Sequence, residues 1–148
     1  MICTTKPAGR CLGAVLIALN LGSPAAAEIE DVGARLSIEL NAAEPTAEGC
    51  MFSFLVVNGH PEPIENMILE AVLFDTDERV ERLTLFDFGN LPSARPRVRQ
   101  FVVPGVACGE FGSLLINGAQ SCETSVGASP HCEDTLDLHS RIEIELIG

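Results

Sequence analysis

The chain has 148 residues, 47% of them hydrophobic, with 21 Asp and Glu against nine Lys and Arg and a formal net charge of −12. So acidic a field repels phosphate backbones and anionic lipid, which excludes nucleic acid and an anionic membrane surface as partners. With no Trp or Tyr and only seven Phe, the chain also lacks the aromatic side chains that dominate protein-binding hot spots and sugar-stacking platforms.

Met1–Ala27 reads as a cleavable secretory signal. Lys6 and Arg10 supply the positive start, Cys11–Leu21 a short apolar run, and Ala25-Ala26-Ala27 the small-residue cleavage site, leaving Glu28 as the new N-terminus. The run is about half the roughly 20 residues needed to span a bilayer. Arg10 stands directly before Cys11 where a lipid-attachment site wants small apolar residues, and no twin arginine precedes the run. Residues 28–148 then form a single domain without a membrane span, periplasmic or secreted. The removed segment takes the only Lys with it, so seven Arg face 21 carboxylates at a net charge of −14.

Leu36, Ile38 and Leu40 alternate with Ser37 and Glu39 and predict a half-buried first strand. In the second, Cys50, Phe52, Phe54 and Val56 make one face, while Met51, Leu55 and Val57 make the other face apolar too. After a loop with Asn58-Gly59, Pro61 and Pro63 comes Ile64–Phe74, the longest apolar run, closed by a turn at Asp75-Thr76-Asp77-Glu78. Val80–Phe88 predicts a fourth strand and Gly89–Pro92 a turn. Arg95–Val103 is the fifth, an edge strand because Pro96 stands near its start and Pro104-Gly105 at its end. Glu110–Ile116 is the sixth, ending at Asn117-Gly118, and Leu136–Ile147 the seventh. About seven short strands with regularly spaced turns predict an all-β, two-sheet antiparallel sandwich of immunoglobulin-like type; a barrel is the alternative closure.

Val56-Val57-Asn58, Leu73-Phe74-Asp75 and Pro104-Gly105 stand where strands end. On these residues the stretch Phe54–Gly105 resembles the secreted bacterial FxLYD-type sandwich modules, with Phe74 at the position of the module's Tyr and without its usual Gly in the following turn. In Arg97–Ile116 and the Cys122/Cys132 loop the chain is also similar to a group of small uncharacterised secreted proteins of Gram-negative bacteria. The resemblance implies a sandwich and transfers no catalytic residue.

Cys50, Cys108, Cys122 and Cys132 remain after the signal, an even count that predicts two disulfides in an exported chain. Of three possible pairings, Cys50–Cys108 with Cys122–Cys132 is favoured: the first joins the sheets and the second staples a loop rich in Gly, Ser and Pro. The rival reading is a periplasmic metal-handling protein using Cys122, His131, Cys132 and His139 on zinc or copper. Its spacing is poor, because no Cys-x-x-Cys is present and adjacent His131 and Cys132 converge badly on one ion.

His60, His131 and His139 are the only histidines and the general-base candidates for a small hydrolase. No Gly-x-Ser-x-Gly, His-Glu-x-x-His or phosphate-binding Gly-rich loop accompanies them. Asp75, Asp77 and Glu78 put three carboxylates in one turn, a potential calcium edge that reads more simply as an Asp-favoured hairpin turn. Arg95, Arg97 and Arg99, at i, i+2 and i+4, share one strand face. They form a positive stripe for an acidic protein or carboxylated glycan, or guards that pair with Glu or Asp at a sheet edge. Under the partner reading, replacing Arg97 and Arg99 with Glu should weaken capture and leave folding intact. The sequence therefore predicts a non-catalytic binding or interaction module of the cell envelope, with no cofactor and no metal.

Overall fold

Alternation of apolar and polar side chains creates the strands, and disulfides, bulges and cross-sheet hydrogen bonds assemble them. The fold is taken from a computed structural model that describes residues 32–148. The signal segment Met1–Ala27 lies outside the described residues. Among the described residues nine strands form two sheets: β1 (Leu36–Pro45), β2 (Gly49–Asn58), β3 (Ile64–Asp75), β4 (Val80–Leu91), β5 (Arg97–Pro104), β6 (Phe111–Thr124), β7 (Gly127–Ala128), β8 (Leu136–Ser140) and β9 (Glu145–Ile147), with a helical turn, α1 (His131–Asp134), before β8. One sheet runs β5-β2-β1-β8; the other runs β4-β3-β6-β7, with β9 also pairing β6. Among the described residues no helix is long and apolar enough to cross a membrane.

The expected inward faces meet in the core. Leu36, Ile38 and Leu40 of β1 and Cys50, Phe52, Phe54 and Val56 of β2 are fully buried, against Met67, Leu69, Ala71 and Leu73 of β3 and Leu114 of β6. Phe54 lies 5.5 Å from Phe86 and 5.6 Å from Phe88, ring centre to centre, and Phe101 stacks on Phe86 at 4.7 Å, so aromatic rings fill the space where the two sheets approach at β4 and β5. Two disulfides cross this core, Cys50–Cys108 and Cys122–Cys132. The result is an all-β, disulfide-stapled sandwich.

Four expectations change. Asn117-Gly118 does not end the sixth strand: β6 continues to Thr124, with Gly118 opposite Glu70 and Ile116 opposite Ala71, so Asn117 is the extra residue of a bulge. Gly89 is likewise no turn. It takes φ +62° inside β4, opposite Met67, and the strand runs on to Leu91. The expected last strand is two strands, β8 in the first sheet and β9 in the second, because Ser140 folds the chain over by accepting the Ile142 N–H and donating to the Ile144 carbonyl. Both resulting pairs, β1–β8 and β6–β9, are parallel, so the sandwich is not wholly antiparallel. The carboxylate turn is held by Asp75, whose Oδ1 accepts the N–H groups of Asp77 and Arg79 at 2.9 Å each. Glu78 takes the left-handed conformation there, φ +61°.

Candidate functional site

One end of the sandwich gathers the β2–β3 loop, the β4–β5 loop, the start of β1 and α1. Asn58, fully buried, donates to the carbonyls of Glu62 (2.9 Å) and Leu91 (3.1 Å) and accepts the His60 N–H (3.0 Å). Gly59 is required beside it, because a Cβ there would stand 1.9 Å from the Gly33 carbonyl oxygen. His60 is thereby turned inward, 4% exposed, and stacks flat on His131 with ring centres 3.9 Å apart. Its Nε2 lies 2.8 Å from Thr135 Oγ1, and that hydroxyl donates to the His131 carbonyl. The Thr135 proton is therefore committed, and the network assigns the Nε2–H tautomer to His60.

Burial, and then the charge of His131, hold His60 below the ordinary histidine value of 6.5. A base whose folded-state value is depressed binds protons more readily when unfolded, so its stability contribution is complete above about pH 6.5 and is lost as pH falls through the folded value. Glu39 acts in a separate window. Burial raises its carboxyl, but hydrogen bonds from Asn41 and Arg141 outweigh this and leave it below 4.5. The midpoint of urea unfolding is thus expected to fall between pH 7.5 and 5.5 in the native chain. In His60→Gln that slope should flatten, leaving the decline below pH 4.5; an unchanged slope would assign the dependence to other groups.

The arginines do not form an outward stripe. Arg95 precedes β5 and is exposed; Arg97 and Arg99 stand opposite the core residues Val56 and Phe54 and turn toward the gap between the sheets. Arg99 donates to three carbonyls: Phe88 (2.7 Å), Asn90 (3.1 Å) and Val98 (3.1 Å). Arg82 reaches back from β4 to the Pro104 carbonyl at 3.1 Å. The two edge strands are therefore laced across the open side of the sandwich, through backbone carbonyls and not the carboxylates expected from sequence. Replacing Arg99 with Glu would not leave folding intact.

Sequence reasoning missed the outer face of the five-stranded sheet. Register places Leu83, Val72, Leu115 and Ile147 in one row across β4, β3, β6 and β9. Leu83 is 59% exposed and Ile147 43%, with Leu85 (52%) beside them. The signal was present in Met67-Ile68-Leu69, Ala71-Val72-Leu73-Phe74, Leu114-Leu115-Ile116 and Leu146-Ile147, runs apolar at consecutive positions and hence on both strand faces. Next to this row the bulged part of β6 opens a shallow polar hollow of about 190 Å³ lined by Glu70, Gly118, Ala119, Gln120 and Glu133.

The remaining candidates are separated. With Cys122 and Cys132 bonded to each other, neither offers a thiolate, which dismantles the ligand set proposed for metal. His139 is exposed on β8, its Nε2 3.2 Å from Asp137, away from the His60–His131 pair. No family model matches the chain, and no curated protein matches it. Among solved structures it is similar to the Salmonella enterica trimeric lipoprotein SadB, at 17% identity and a TM-score of 0.42, over 47% of this chain and 40% of that one.

Proposed function

We propose that the chain is a non-catalytic interaction module that works outside the cytoplasm, presenting the outer face of its five-stranded sheet to a protein partner. The observation that carries this reading is the in-register apolar row Leu83–Val72–Leu115–Ile147, in which Val72 is buried between its neighbours and Leu115 half-buried while Leu83 and Ile147, with Leu85 beside them, stay exposed on a face built from the three longest strands. Aligned exposed apolar side chains, as opposed to scattered ones, mark interaction surfaces. Two disulfides favour an oxidising compartment, the envelope or beyond. A hydrolytic reading would use His60, but its Nε2 is engaged by Thr135 and the ring is covered by His131. The Arg95/Arg97/Arg99 row ranks second as a partner surface, because Arg99 is already spent on carbonyls within the fold.

The test is a photo-crosslinking amino acid placed at position 83 and, in a second protein, at position 98 of the other sheet, where Val98 is 61% exposed. In the native host a discrete protein adduct is expected from position 83 and none from position 98. Absence of adducts from position 83 would sink the reading.

A further inference from the structure

Resting on that reading, we infer that the partner contributes a cationic amphipathic segment, with apolar side chains on the Leu83–Ile147 row and Lys or Arg beside Glu70 and Glu145. The strands of the five-stranded sheet carry seven carboxylates (Glu65, Glu70, Asp75; Glu81, Asp87; Glu123; Glu145) and a single cation, Arg82. That cation is turned away, to the Pro104 carbonyl. The acids bracket the apolar row in register. Glu70 lies two residues along β3 from Val72, opposite Leu85 and Gly118. Glu145 lies two residues along β9 from Ile147, on the other side of the row, opposite Ser113 and thus level with Phe74. Two residues of strand measure about 7 Å, so an occupant that fills the row reaches both carboxylates with adjacent long cationic side chains.

Room for such a side chain exists at Glu70, where the bulges of β6 open the hollow between Glu70 and Glu133. Each of these carboxylates is held by one amide donor, Glu70 by the Asn117 side chain and Glu133 by the Ala119 N–H, which leaves acceptor capacity for an incoming cation. A second copy of this chain is a poor occupant. An isologous pairing would lay Glu70, Glu145 and Asp87 against the same residues, while the one cation of these strands, Arg82, is turned to the Pro104 carbonyl and does not offset them.

The probe is a fluorescein-labelled ten-residue peptide of alternating Leu and Lys, with a Leu/Glu peptide as its counterpart, titrated by anisotropy into the disulfide-bonded protein purified from an exporting host. The Leu/Lys peptide is expected to bind and the Leu/Glu peptide not. Leu83→Thr with Leu85→Thr, exposed positions where a β-favouring residue keeps the strand, should weaken binding about tenfold or more. Glu70→Gln with Glu145→Gln, near-isosteric and so fold-preserving, should do the same and remove much of the salt dependence. Val98→Thr with Val102→Thr on the opposite sheet should change nothing. Equal binding of both peptides, or indifference to the Glu70 and Glu145 changes, overturns the cationic partner. So does a wild-type dimer in sedimentation that Leu83→Thr with Leu85→Thr dissolves. If position 83 still yields a protein adduct in the host while the Leu/Lys peptide fails, the module reading survives and only the partner's chemistry is wrong.

Discussion

Replacing Cys50 and Cys108 together by Ala is expected to lower the unfolding free energy by about 4 kcal/mol, measured by urea titration under non-reducing conditions. The bridge closes a separation of 58 residues, and in the chain-entropy account a loop of that length restricts the unfolded ensemble by this amount. Its position adds to the effect. Cys50 is fully buried on β2, and Cys108 sits in the short 3-10 turn that leads into β6, so the bond ties the centre of one sheet to the entry of the other. Against the 5–15 kcal/mol typical of a domain, roughly, this is a large share. The Cys122–Cys132 bond, spanning ten residues, should be worth about 3 kcal/mol. Its removal differs in kind, since it frees α1 and with it the His131 ring that covers His60, so the pH dependence of stability should change as well. A loss below about 1 kcal/mol for the Cys50/Cys108 variant would show that the sheets are held by packing and hydrogen bonds alone.

Much of this architecture is written in local pattern. Leu36, Ile38 and Leu40 alternate with polar neighbours and are all buried, and Cys50, Phe52, Phe54 and Val56 are buried as the expected inner face although Met51, Leu55 and Val57 between them are apolar as well. Pro96 and Pro104 correctly mark β5 as an edge. What stays hidden depends on residues far apart in the chain. Asn117-Gly118 has the chemistry of a turn and becomes a bulge because β3, 47 residues earlier, supplies Glu70 to bond Asn117 and continues the ladder on both sides. The alternation of Ile142, Ile144 and Leu146 with Glu143 and Glu145 runs unbroken through the point where the chain leaves one sheet for the other, because side-chain alternation does not say which sheet a strand joins. His60 and His131 carry no shared sequence signal; Asn58, Gly59 and Thr135 bring them face to face. The apolar run Ile64–Phe74 announces two apolar faces, but only the assembled sheets decide that one of them stays open.

Arg99→Ala is expected to cost about 2 kcal/mol, whereas Arg97→Ala, which loses a bond only to its own neighbour Pro96, should cost no more than about 0.5 kcal/mol. Two spacing-equivalent arginines differ because Arg99 bonds the other sheet: its guanidinium takes the Phe88 and Asn90 carbonyls of β4 as well as that of Val98. Hydrogen bonds from a charged donor are worth about 1.5–3 kcal/mol each when sheltered, and partial exposure of this side chain reduces the sum. Arg99→Lys should recover less than half of the loss, because an ammonium cannot place a fork of donors on two carbonyls at once. The acceptors are neutral, so the difference between Arg99 and Ala should survive high salt, unlike that of a surface ion pair. Uncovering those carbonyls also leaves β4 with unblocked edge groups, and Arg99→Ala should scatter more light on heating than Arg97→Ala at matched fractions unfolded. Equal urea midpoints for the two Ala variants would mean that the cross-sheet lacing contributes nothing to stability. A gap of the expected size would make Arg99 the closure of a sandwich whose opposite side is closed by the chain itself, where β8 passes into β9.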